Sequence, residues 1–192
     1  MTRSEPTPSP RRQELLDAAY AYALRGGLGA LSLRPLAEAI GSSPRVLLYL
    51  FDSKDGLIRA LLARARTDEL AHISRLADER DGPEGLQPTA RALWAWLSDD
   101  SHRALLTLWV ESYARSLMDP DGPWAGFARD TVGDWLELLA AGQPPAARDT
   151  EAALAQRTLV LAVLRGALLD LLATGDTART TAAVHLQLAA LE

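Results

Sequence analysis

Residues 31–54, with the sequence LSLRPLAEAIGSSPRVLLYLFDSK, constrain the fold most, because helix-starting and helix-ending residues follow one another closely. Ser32 is a good N-cap for a first helix, and Gly41 supplies the left-handed residue that ends it. The apolar face of that helix comprises Leu33, Leu36, Ala37 and Ile40. Ser43 then caps a second helix, with Pro44 at its first position. The stretch predicts two short helices around a tight turn.

The second of these helices has an inward and an outward face. Leu47 and Phe51 lie four residues apart and are expected to face inward, whereas the outward residues are Arg45, Leu48 and Tyr49. Asp52 or Ser53 is expected to cap a further helix, with Lys54 in its first turn. Lys54 is the only lysine in the chain, which has nineteen arginines. The arrangement is typical of a helix-turn-helix that sets one helix in the major groove of DNA, and the alternative is an ordinary helical hairpin.

The sequence resembles the TetR family of bacterial transcription regulators over residues 11 to 66. The resemblance is carried by Gly41, Ser43, Pro44, Leu47, Tyr49, Phe51, Ser53 and Lys54. The chain departs from the commonest family pattern at Leu48 and Leu50, where Tyr or His is usual. Arg45 stands where the family often has a small residue, and it can read a guanine.

The resemblance implies a regulator that holds a palindromic double-stranded DNA operator until a small-molecule effector binds, most simply a repressor. The expected DNA contacts are Arg34, Ser43, Arg45, Tyr49 and Lys54. Of these, Arg45 and Tyr49 are expected nearest the bases and Lys54 on a phosphate. Two competing functions are a helical small-molecule-binding protein and an interaction module, each without specific DNA binding.

The distribution of charge favours DNA binding at one end of the molecule. The chain carries a net charge of −5, but residues 1–66 contain ten basic and six acidic side chains, while residues 67–192 contain ten and nineteen. A basic first third on an acidic remainder suits a protein that presents one end to phosphates.

Composition argues against other function classes. There is no cysteine, so no disulfide, thiol nucleophile or thiolate metal site is expected. No convergent set of catalytic groups is apparent, and neither enzymatic activity nor a metal or cofactor is expected. The polar, proline-rich start reads as a disordered tail rather than a secretory signal. The apolar run 159–173 is shorter than the ~20 residues of a membrane span, so the protein is expected in the cytoplasm without a membrane partner.

Helical periodicity without a convincing strand predicts an all-α chain of about nine helices, with an N-terminal three-helix helix-turn-helix domain and a C-terminal helical bundle. A tail at 1–9, a DNA-binding domain at 10–54 and a ligand-binding and dimerisation domain at 55–192 are expected. Breaks are predicted at 80–85, 119–123 and 142–147, and the last two helices at about 150–174 and 177–191.

The middle of the chain is the expected effector site, because all five tryptophans lie between residues 94 and 135. The candidate lining residues are Trp94, Trp109, Ser112, Tyr113, Trp124 and Trp135. Large rigid apolar surfaces with a few polar groups suit an apolar or aromatic ligand. The alternative is that these side chains only fill the core.

The penultimate helix is apolar nearly all round, so it is expected to be covered on more than one side. Ala162 and Gly166 allow a second helix to approach closely, and the last helix adds a stripe that includes Val184 and Leu188. The resemblance implies a two-fold homodimer built from these two helices as a four-helix bundle, against the alternative of an intramolecular core. The partners of Arg165 and Asp170, within that apolar helix, stay open.

Overall fold

The computed structural model describes residues 9–28, 31–78 and 85–191, and within them the chain forms nine α-helices, one 3₁₀ turn and no β-strand. The helices are α1 (Pro10–Gly26), α2 (Leu33–Ala39), α3 (Pro44–Phe51), α4 (Lys54–Asp78), α5 (Leu86–Leu97), α6 (Arg103–Met118), α7 (Phe127–Ala141), α8 (Glu151–Thr174) and α9 (Thr177–Ala189). The predicted all-α class is confirmed.

Side-chain caps explain where several helices begin. Ser9 accepts a hydrogen bond from the backbone N–H of Arg12 and so caps α1. The other residues of the predicted tail, 1–8, lie outside the described part of the chain. Ser43 accepts from the N–H of Val46, as predicted. Ser32 precedes α2 but makes no capping bond with its hydroxyl. Each satisfied amide is one of the four that a helix start leaves unpaired.

The first three helices form a unit, here called the head. Its core joins Leu15 and Ala19 of α1 to Leu36 of α2 and Leu47 of α3, all of them buried. The long helix α4 packs against α1 and α3 and also against α5 and α6. Helix α4 therefore connects the head to the rest of the molecule, and α1 also packs directly against α6.

Helices α5–α9 form a second unit, here called the body, in which α8 packs against α5, α6, α7 and α9. The indole N–H of Trp94 on α5 donates to the hydroxyl of Thr181 on α9 over 3.0 Å. Trp124 directly follows the predicted break at 119–123 and lies in the turn before α7, which begins at Phe127. The predicted break at 80–85 lies outside the described residues except for Gly85, which precedes α5.

Helix α8 agrees with the helix predicted at about 150–174, and it extends beyond the apolar run 159–173 at its N-terminal end. It is the one helix in the described residues that is long and apolar enough to cross a membrane. This is weak evidence for a membrane span, because core helices of soluble proteins meet the same two criteria. Its inward face packs into the body through Ala153, Val160, Leu161, Leu164, Leu168 and Leu171.

Candidate DNA-binding surface and ligand-binding core

Helix α3 is fixed to the head by one face and free on the other. Leu47 and Phe51 are buried, as predicted. Arg45 is exposed, the side chain of Tyr49 is 83% exposed and that of Leu48 is 41% exposed. Since Arg45 and Tyr49 are four residues apart, they lie on one face of the helix. Leu48 lies next to them, so this face combines a guanidinium, a phenol and an aliphatic side chain.

A side chain of α1 supports the C-terminal end of α3. The Nε of Arg12 donates to the carbonyl oxygen of Leu50 over 3.2 Å, and its guanidinium carbon lies 4.8 Å from the centroid of the Phe51 ring. A cation at this end also suits the negative end of the helix dipole. Leu50 packs partly against the core, so the two departures from the family pattern differ: Leu48 is presented outward and Leu50 is not. No local sequence pattern pointed to Arg12.

The junction between α3 and α4 is very tight. Asp52 has a φ of 66°, the only positive φ at a non-glycine residue in the described part of the chain. Ser53 is the side chain that caps α4, accepting from the N–H of Gly56 over 2.9 Å. A Cβ at Gly56 would lie 2.0 Å from the carbonyl oxygen of Phe51. Only glycine fits there without a shift of the backbone, so Gly56 allows the start of α4 to lie this close to the end of α3.

The structure presents all five predicted DNA contacts at the surface of the head or at the start of α4. Arg34 is exposed in the first turn of α2, and Lys54 is exposed as the first residue of α4. The hydroxyl oxygen of Ser43 is occupied as a cap acceptor, which leaves its proton free to donate. The backbone N–H groups at the N-termini of α3 and α4 lie close to these side chains in sequence, and they can also donate to phosphates.

A carboxylate of the body holds the head. Glu111 on α6 accepts from the backbone N–H of Leu28 over 2.9 Å through one oxygen, and from the Nε of Arg115 over 3.2 Å through the other. Gly27 has a φ of 75°, and a Cβ there would lie 2.9 Å from the same carboxylate oxygen. The spacing of Glu111 and Arg115, four residues apart on a helix, favours their ion pair, whereas no local pattern indicates the contact with residues 27 and 28.

The predicted ligand-lining residues lie mostly inside the packed body. Trp94, Trp109, Trp124, Trp135 and Ser112 are buried, and Tyr113 is partly buried. The Trp109 ring centroid lies 5.2 Å from that of Tyr113 and 6.0 Å from that of Trp135, which brings these three rings together. The hydroxyl of Ser112 donates to the carbonyl of Leu108 within α6. Trp124 belongs to a separate contact with Arg115.

The two charged residues of α8 whose partners the sequence left open have different surroundings. Asp170 accepts two hydrogen bonds of 2.7 Å from the guanidinium of Arg179 on α9. Arg165 instead places its guanidinium carbon 5.0 Å from the Tyr113 ring centroid and 5.9 Å from that of Trp109. The Nε and Nη2 of Arg165 and the indole nitrogen of Trp109 are buried without a hydrogen-bond partner.

The residues predicted at a dimer interface divide into two groups. Ala162 and Gly166 are exposed on α8, where a Cβ added at Gly166 would meet nothing within 4 Å. Val184 and Leu188 are 0% exposed, so they already pack inside their own protomer. The exposed large apolar side chains of the last two helices are Leu154, Leu159, Leu169 and Leu186. Sequence periodicity found the apolar stripe of α9 but not that its own chain covers it.

Among the described residues, no group of three or more His, Asp or Glu side chains is arranged to hold a metal ion.

The sequence of the head and of the start of α4 is similar to that of a known family. Residues 15–61 match the family model for bacterial regulatory proteins of the tetR family. No curated protein matches the chain in sequence.

Solved structures match almost the whole chain. A TetR transcription regulator from Haloarcula marismortui superimposes with a TM-score of 0.75 at 18% identity, covering 95% of this chain and 98% of its own. A TetR-family transcriptional regulator from Agrobacterium tumefaciens gives 0.69 at 20% identity, with coverage of 96% and 98%. The multidrug binding protein EbrR, in complex with proflavin, gives 0.64 at 25% identity, with coverage of 93% and 99%. The chain therefore carries a TetR-type helix-turn-helix domain at its N-terminal end, within the fold of the TetR-family transcription regulators.

Proposed function

We propose that the protein is a sequence-specific repressor that binds a palindromic operator and leaves it when a small molecule binds the body. The observation that carries the proposal is the outward face of α3, on which Arg45, Leu48 and Tyr49 are exposed while Leu47 and Phe51 anchor the helix. An arginine can donate to guanine, and an aliphatic side chain can contact a thymine methyl group. A regulator of this kind works where the chromosome is, in the cytoplasm.

We further propose that the regulator is a homodimer joined through α8 and α9. Ala162 and Gly166 support this, since neither is covered by its own chain and small residues let two helices approach closely. The large apolar side chains of the proposed interface are the exposed Leu159, Leu169 and Leu186 rather than Val184 and Leu188. A two-fold dimer presents two α3 helices to two half-sites about one helical turn of DNA apart.

Release from DNA requires that the effector bind more tightly to a conformer whose two heads do not fit the half-sites, since equal affinity for both conformers shifts nothing. In the similar protein EbrR a small aromatic molecule, proflavin, is bound. Here the aromatic residues of α6 and α7 are proposed to take part in effector binding. The body and the head are connected through the shared helix α4, through the packing of α1 against α6, and through the contact of Glu111 with Leu28.

Fluorescence anisotropy with the DNA upstream of the protein's own gene tests this proposal, with random duplex as competitor at two salt concentrations. Preference for the upstream DNA that survives near-physiological salt is the expected result. Weak binding that is equal on both DNAs and is lost with salt indicates phosphate attraction alone. Selection from random sequences then follows, because the operator can lie elsewhere, and failure there rejects the proposal in favour of a ligand-binding protein without specific DNA binding.

A further inference from the structure

Arg165 brings a positive charge to the edge of the apolar body without a carboxylate to balance it. No Asp or Glu among the described residues forms an ion pair with it, although residues 67–192 are strongly acidic. Its Nε and Nη2 are buried and have no acceptor. Removing a guanidinium from water without a partner is unfavourable, so the arrangement favours the entry of an anion.

A second unpaired donor lies beside the first. The indole nitrogen of Trp109 is buried without an acceptor, and the Trp109 ring centroid is 5.9 Å from the guanidinium carbon of Arg165. A buried polar group without a partner is uncommon in folded proteins, and here two such groups lie on neighbouring side chains. Both groups donate and neither accepts, so what they have in common is a need for an acceptor.

Two other partly buried arginines of the body, Arg148 and Arg157, also have a buried Nε without an acceptor, but each makes hydrogen bonds through another nitrogen. Arg148 donates through Nη2 to the carbonyls of Ala141 and Gln143, at the end of α7. Arg157 donates through Nη1 to the side chain of Gln143 and to the carbonyl of Arg148. These two guanidiniums are held by the turn between α7 and α8 and so have a structural role. Arg165 makes no such contact with the described residues.

We propose that Arg165 and Trp109 bind the carboxylate of a small organic acid whose apolar body packs against the aromatic side chains of α6 and α7. The surroundings fit such a molecule, because the ring centroids of Tyr113 and Trp135 lie within 6.0 Å of that of Trp109. A guanidinium binds a carboxylate through two parallel hydrogen bonds and disfavours a cation. The inference rests on the proposed function in one respect: it assigns a chemical class to the proposed effector.

Isothermal titration calorimetry on the full chain tests the inference with three probes of similar shape. The probes are 1-naphthoate, which is anionic, 1-naphthamide, which is neutral, and 1-naphthylmethylammonium, which is cationic. The wild type is expected to bind the naphthoate roughly ten- to a hundredfold more tightly than the amide, as charge-assisted hydrogen bonds provide, and the cation least tightly. Equal affinity for the three, or no heat with the naphthoate at millimolar concentration, overturns the inference.

Variants assign the preference to the two residues. Arg165→Gln is expected to abolish the preference for the naphthoate while its affinity for the amide stays unchanged, and Trp109→Phe is expected to reduce the preference. The matched control is Arg129→Gln on α7, because Arg129 is highly exposed. An unchanged preference in Arg165→Gln overturns the inference, and the comparison of three probes on the wild type remains decisive even if a variant folds poorly.

Two further readouts distinguish a ligand-binding Arg165 from an Arg165 that acts at the subunit interface or in DNA binding. Sedimentation equilibrium of Arg165→Gln is expected to give the oligomeric state of the wild type, whereas loss of association together with an unchanged preference would make Arg165 an interface residue and overturn the proposal. Operator binding without ligand is expected to be unaffected in Arg165→Gln. If the wild type binds no DNA but still prefers the naphthoate, the proposed repressor function fails and the ligand assignment stands.

Discussion

Two residues of the proposed DNA-binding surface, Arg45 and Lys54, are expected to make different contributions to DNA binding. Arg45 is exposed on the outward face of α3, whereas Lys54 begins α4. Arg45→Ala is expected to lower discrimination between operator and random DNA, because an arginine to guanine contact is specific. Lys54→Ala is expected to weaken binding to all sequences about equally and to reduce the salt slope by about 1. Anisotropy titrations at several salt concentrations measure both, and equal losses on the two DNAs for Arg45→Ala contradict the assignment.

Glu111 is a second residue with a separable role, since its carboxylate accepts from the buried Leu28 N–H across the boundary between body and head. Glu111→Ala is expected to lower the free energy of unfolding by roughly 1–3 kcal/mol, the cost of a buried donor left without an acceptor. Glu111→Gln keeps an acceptor oxygen and is expected to lower it less. Urea unfolding followed by tryptophan fluorescence measures both variants. Equal stability of Glu111→Ala and the wild type would show that the contact contributes nothing.

At the level of helices, the α3–α4 junction is expected to tolerate no side chain at Gly56, where a Cβ would lie 2.0 Å from a backbone oxygen. Gly56→Ala is expected to destabilise the head by roughly 1–3 kcal/mol, as overpacking does. It is also expected to weaken operator binding, because α3 must change its orientation to relieve the clash with the Phe51 carbonyl oxygen. The matched control is Gly133→Ala inside α7, where an added Cβ meets nothing within 4 Å. That change is expected to be neutral or to stabilise by about 0.5–1 kcal/mol. Thermal unfolding and anisotropy measure both variants, and a Gly56→Ala protein as stable as the wild type contradicts the junction argument.

The sequence predicted the elements of the head better than the contacts between elements, for a physical reason. Caps and apolar periodicity act within a few residues, so Ser43, Gly41 and the buried pair Leu47 and Phe51 are readable from the sequence. The contact of Glu111 with Leu28 joins residues 83 positions apart, and no local pattern encodes it.

The same reason explains where the structure of the body differs from what the sequence predicted. Val184 and Leu188 form an apolar stripe, but only the packed structure shows that their own chain covers it. The unpaired donors of Arg165 and Trp109 are also visible only when α6 and α8 are in contact. Periodicity therefore predicts which apolar residues share one face of a helix, and the packing of the helices determines what that face contacts.

For the whole molecule, the proposed dimer depends on the exposed apolar face of α8. Leu159→Glu is expected to convert the dimer to a monomer, because a carboxylate within the proposed apolar interface is left without a partner. The control is Leu117→Glu, since Leu117 is 66% exposed on α6 and is not part of that face. Light scattering coupled to size-exclusion chromatography gives the mass of each variant. A dimeric Leu159→Glu protein, or a monomeric wild type, contradicts the proposed interface.

The ion pair of Asp170 on α8 with Arg179 on α9 is expected to make the stability of the protein depend on pH in the acid range. Hydrogen bonds from the Arg179 guanidinium lower the pKa of Asp170 below its usual 3.8. A lowered pKa in the folded state means that the pair stabilises at neutral pH and that this contribution is lost as the pH falls through the folded-state value. The difference in Tm between wild type and Asp170→Asn is therefore expected to shrink between pH 5 and the acid range. A difference that is constant or grows on acidification would show that the ion pair is not its source.

Lys54 is exposed at the first position of α4, so its amine is accessible to reagents that label proteins covalently. No other lysine competes for an amine-reactive reagent, so such a reagent has a single side-chain target in the chain. If Lys54 lies against a phosphate, operator DNA will shield its amine, and the rate of acylation will fall in proportion to the fraction of protein bound. The extent of labelling at this position, read by peptide mass spectrometry, then becomes a measure of operator occupancy that needs no fluorophore on either partner.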